Sequence, residues 1–102
     1  MAIKVVNRHS FQGTNEYVGR GTPLGNPFIL RREADRDLVC EQYTHWLRAE
    51  YRKHGSVYRA LHRLAGLAKA GDLTLICSCA PKRCHADFIK TAIEAIVAKQ
   101  LV

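Results

Sequence analysis

The sequence predicts a small single-domain α/β layer fold, Rossmann-like in its last unit, with a short sheet and about three helices. Three observations carry that prediction. An alternating apolar stretch opens the chain, two long segments in the middle repeat their apolar residues at helical spacing, and a continuous apolar run leads into a third amphipathic helix.

Ile3-Lys4-Val5-Val6-Asn7 alternates as a strand does. The polar, glycine-containing stretch from Asn7 to Asn15 reads as a connection. Glu16-Tyr17-Val18 can form a second short strand running into Gly19-Arg20-Gly21. Thr22-Pro23-Leu24-Gly25-Asn26-Pro27-Phe28 cannot be helical, because each proline pushes its preceding residue towards extended geometry and Gly25 admits conformations closed to other residues. It reads as a shaped loop that presents backbone groups.

From Glu33 to about His54, Val39, Tyr43, Trp46 and Leu47 recur at three- and four-residue steps, with Cys40 beside them in a packing position. Gly55 is the expected helix stop and Ser56 the expected cap of the next helix. That helix carries Val57, Leu61, Leu64, Leu67 and Ala68 on its apolar stripe and ends at Gly71-Asp72. Arg48, Arg52, Lys53, Arg59, His62 and Arg63 fall on the outer faces of the pair, and His45, His54 and His62 read as isolated surface residues. Leu73 to Cys77 reads as a strand buried on both faces. The last helix, from about Cys84 to Lys99, has a wide stripe of Phe88, Ile89, Ala92, Ile93, Ile96 and Val97, with Asp87 and Lys99 at the ends the helix dipole favours.

A chain of 102 residues, 47% apolar and 25% charged, supports one hydrophobic core, so residues 1–102 read as one domain. No apolar run is long enough to cross a bilayer, and Met1-Ala2-Ile3-Lys4 does not open a signal peptide, so a cytoplasmic protein without membrane contact is expected. Thiols stay reduced there, which turns the clustered cysteines towards metal, catalysis or packing. The net charge of +7 favours polyanionic partners or a phosphorylated ligand.

The chemistry concentrates between Cys77 and Asp87, where three of the four cysteines, a histidine and a carboxylate follow the apolar strand. The carboxyl end of a strand is where open α/β sheets bind ligands, and a helix start offers N–H groups to an anion. Lys82 and Arg83 add positive charge, and the same field favours the thiolate of Cys84. Three readings follow. Cys84, His85 and Asp87 can act on a bound phosphorylated molecule, with His85 as acid or base and Asp87 orienting it. Cys77, Cys79, Cys84 and His85 are of the types that hold zinc, although their spacing is not that of paired C-x-x-C knuckles. Cys77 and Cys79 can also be buried hydrophobes. Gly19, Arg20 and Gly21 together with Gly25 and Asn26 make a second anion-binding element, with Cys79 beside it.

Gly19-Arg20-Gly21, Leu24-Gly25-Asn26-Pro27-Phe28, Tyr43 with Trp46-Leu47, and Leu75-x-Cys77-x-Cys79-x-Pro81-x-x-Cys84-His85-x-Asp87 resemble an uncharacterised domain family of bacteria and their phages. Members often carry an aromatic residue where this chain has Ser78 and glycine where it has Ala86. The resemblance implies that the GRG, LGNP and CHxD segments share one pocket, and it names no reaction. The resulting expectation is a domain that binds, and can process, a nucleotide-like phosphorylated ligand. The alternatives are a zinc-stabilised nucleic-acid-binding module and a phage protein that acts through a host protein partner.

Overall fold

In a computed structural model of the chain, residues 3–7, 16–18, 22–29, 31–77 and 85–100 are described. The elements run β1 (Ile3–Asn7), β2 (Glu16–Tyr17), a short 3-10 turn (Glu33–Asp35), α1 (Arg36–Arg52), α2 (Ser56–Ala70), β3 (Leu73–Cys77) and α3 (His85–Gln100). The three strands form one parallel sheet in the order β1-β3-β2. This is the mixed α/β fold expected from the periodicities, with three helices and a short sheet.

The central strand has one buried face. Leu73 and Leu75 pair in register with Ile3 and Val5, and this row packs on α2 and α3 in the main core. Thr74 and Ile76 on the other face are only half-buried, so the strand is not enclosed on both sides as its apolar run suggests. With three short strands and the core on one side, a half-covered outer face suffices for an apolar residue such as Ile76. The core continues through Tyr43 and Leu47 of α1, Val57, Leu61 and Leu64 of α2, and Ile89, Ile93 and Val97 of α3. Leu67, read as part of the stripe of α2, is instead exposed at 42%. Cys40 is buried as a free thiol, in keeping with a packing role.

The turn between α1 and α2 differs from expectation in its details. His54, not Gly55, takes the left-handed conformation that ends α1, with φ 56°, and Gly55 is the N-cap of α2 while Ser56 is its first helical residue. The side chain of His54 accounts for a non-glycine residue there. Its ring lies tilted against Tyr58 at 4.3 Å between centroids, and Tyr58 stacks in turn on His62 at 4.2 Å. Tyr51 of α1 joins the ladder through His62, with its hydroxyl 2.9 Å from Nε2. His54 and His62 are therefore not isolated but belong to an aromatic cluster that ties the two helices together, with His54 exposed as expected and His62 half-buried. Burial raises the Tyr51 phenol above its usual pKa, with the neighbouring Tyr58 acting in the same direction.

Leu75 is fully buried at the centre of the sheet. Its truncation in Leu75→Ala is expected to lower unfolding free energy by about 2–5 kcal/mol, whereas Leu67→Ala should change it little; urea denaturation of the two variants measures the contrast.

Candidate functional site

The local chemistry of the loop before α1 explains its shape. The Gly25 N–H donates to the Thr22 carbonyl at 3.0 Å, closing a turn with Pro23 in its second position. The Phe28 N–H donates to Oδ1 of Asn26 at 2.8 Å, so the Asn26 side chain folds back on its own loop across Pro27. The Gly25 backbone N–H and the Asn26 side-chain Oδ1 thus build the loop itself. Leu24, in the third position of the first turn, is buried.

Tyr43 on α1 has no exposed surface, and its hydroxyl donates to the Leu24 carbonyl at 2.7 Å. A buried phenol needs an acceptor, and here the acceptor is a loop carbonyl that needs a donor. The edge of the same ring meets His85, with centroids 5.2 Å apart and planes at 72°. Trp46, one turn further along α1, lies 5.6 Å from Tyr43.

His85 opens α3 and is buried. Its Nε2 lies 2.6 Å from the carbonyl of Val18, the residue just before Gly19-Arg20-Gly21. A carbonyl only accepts, so Nε2 carries a proton and the neutral ring keeps its lone pair on Nδ1. Any proton exchange or metal ligation by neutral His85 therefore runs through Nδ1. Val18 is itself held to the sheet, because its N–H donates to the Ile76 carbonyl of β3 at 3.0 Å. One connected set of contacts thus runs from β3 through Val18 and His85 to Tyr43 and Leu24.

Asp87 is exposed in the first turn of α3, where its charge suits the dipole. Two positions apart on a helix, it projects to a different face from His85, which makes it a poor orienting partner for that ring. Gly19, Arg20, Gly21, Cys79, Lys82, Arg83 and Cys84 lie outside the described residues, as does the side chain of Cys77. The zinc reading therefore rests on positions of which only the His85 side chain is described, and among the described residues no group of three metal-ligating side chains converges. No helix among them is long and apolar enough to cross a membrane.

Tyr43 is the residue whose role the sequence did not announce. The signal was present as a lone hydroxyl on an otherwise apolar stripe, which in a packed core has to find an acceptor.

The fold and this junction define a small α/β domain in which two loops are fastened to a helix start. A family model described as Domain of unknown function (DUF4326) matches residues 3–95, and the chain belongs to that family. No curated protein and no solved structure gives a match.

Tyr43→Phe keeps the ring and removes the donor to Leu24. It is expected to cost about 1–3 kcal/mol, the penalty of an unmet buried carbonyl. Amide hydrogen exchange should at the same time quicken at Gly25 and Phe28 while α2 stays protected. Unchanged stability and exchange would show that the Leu24 carbonyl finds another donor.

Proposed function

We propose that the chain binds a nucleotide-like phosphorylated ligand where the GRG and LGNP segments meet the start of α3. The observation that supports this reading is that Val18, next to Gly19 in the sequence, and Leu24, next to Gly25, are both tied to the His85–Tyr43 pair. In this reading Arg20 pairs with the phosphate, the Gly19-Arg20-Gly21 backbone approaches it, and Lys82 and Arg83 raise the local positive potential. Cys84 and Asp87 are the groups that would act on the bound molecule. Buried and held through Nε2, His85 serves best as a positioning residue that fixes the loop against the helix, with Nδ1 as its atom for proton transfer.

Thermal-shift measurements against nucleoside phosphates and phosphosugars test this reading. At least one compound should raise Tm by several degrees, and Arg20→Ala should abolish the rise without lowering the unliganded Tm. If no compound stabilises the wild type, or the variant responds as the wild type does, the reading fails.

A second reading is nucleic-acid binding on the α1–α2 pair, and one observation favours it. Arg59 and Arg63 are exposed on α2, beside the half-buried rings of Tyr58 and His62. Basic side chains interleaved with aromatic faces suit a single strand. Binding of a fluorescent oligonucleotide should then fall steeply with salt and weaken in Arg59→Gln/Arg63→Gln. Zinc measured on the same untagged protein, with and without chelator, separates a metal-stabilised module from a metal-free one.

A further inference from the structure

A groove of about 490 Å³ lies between α1, α2 and α3, within the range of sites that take small ligands. Leu47, Leu61, Phe88, Ala92 and Ile96 supply its apolar surface. Along α3 the lining extends from Phe88 to Lys99, about 16 Å at the rise of an α-helix. Every hydroxyl of the lining is engaged inside the protein. Thr44 donates to the Cys40 carbonyl at 3.0 Å, Thr91 donates to the Asp87 carbonyl at 3.1 Å, and Tyr51 shares its hydrogen bond with His62.

The remaining polar side chains are all cations. Among the described residues, Arg48, Arg52 and Lys99 line the groove, no carboxylate does, and none of the three makes an ion pair. Arg48 and Arg52 stand four apart on one face of α1, a mutually repulsive spacing that an anion between them would relieve. A ligand with a polar body would lose its hydration against the apolar surface and find no uncharged partner. A small bare anion would leave that surface unused.

We propose that this groove binds a single-chain fatty carboxylate, with its alkyl chain along α3 and its head held by Arg48 and Arg52. The guanidinium fork matches a carboxylate, and the apolar surface removes the chain from water. The site is separate from the ligand junction at Tyr43 and His85 and does not depend on it.

Titration calorimetry with decanoate below its micelle-forming concentration tests the proposal, with decanol and acetate as controls. Decanoate should bind at least tenfold more tightly than decanol, and acetate should give no signal. Arg48→Gln/Arg52→Gln should bring decanoate down to the level of decanol, and Ala95→Trp, at an exposed lining position, should abolish both. Circular dichroism confirms that each variant is folded, and Arg48→Gln alone, expected to weaken decanoate but not decanol, serves as a milder alternative if the double variant is not. Equal binding of decanoate and decanol to the wild type, or wild-type binding by Ala95→Trp, overturns the proposal. So does an acidic amphipathic helical peptide that binds and is blocked by Ala95→Trp while decanoate gives no signal, which would assign the groove to a protein partner.

Discussion

Two backbone carbonyls, of Val18 and Leu24, belong to buried residues in segments outside the helices, and each has to be met by a donor. An unmet buried carbonyl costs a substantial part of the stability of a domain this size, so the donors are as binding a constraint as the apolar core. The protein meets the constraint with two ring side chains, His85 and Tyr43, which also rest edge-to-face on each other. Each ring therefore fixes one loop and one neighbour, and the pair acts as a unit. Moving α1 or the start of α3 would leave a carbonyl without its donor. The positions of Val18 and of the loop around Leu24 relative to α3 follow from that arithmetic of donors and acceptors.

The helices were readable because burial on one face imposes a three-to-four-residue rhythm that survives in the sequence. The strands were readable from alternation and from the apolar run of β3. What escaped was set by contacts distant along the chain. Tyr43 meets a carbonyl 19 residues away and His85 one 67 residues away, and neither spacing leaves a local pattern. The end of α1 escaped for a different reason. Glycine is the usual residue in a left-handed helix terminus, yet here His54 takes that conformation with its ring against Tyr58, and the boundary lies one residue earlier. Of the candidate site, the sequence marked His85, Asp87 and the loop around Gly25 and Asn26, but it did not separate groups that build the loop from groups that face outward.

One helix serves both regions of interest because its stripes are adjacent. Cys40, Tyr43 and Leu47 form the row that enters the core and reaches the loop junction. Thr44, Arg48 and Tyr51 form the next row, and these line the groove against α3. Leu47 belongs to both. An α-helix advances 3.6 residues per turn, so a row taken at steps of four drifts slowly around the axis and brings neighbouring faces into use. The junction and the groove thus share a rigid wall while presenting different chemistry, a hydrogen-bonded polar knot on one side and an apolar channel with cations on the other.

The strand order has a consequence for how the molecule comes into being. β1 and β2 do not pair with each other; each pairs only with β3, which enters between them. During synthesis, the first two strands leave the ribosome with no edge to join, while the α1–α2 hairpin, built from contacts close in the chain, can already form. Among the described residues every strand pairing involves β3, so this sheet can form only once residues 73–77 have emerged. Such late, long-range closure is the slow part of folding for a small domain. The hairpin with its ring ladder is the natural early structure, and the fold is complete only when β3 has entered the sheet and α3, which follows it, has packed against it.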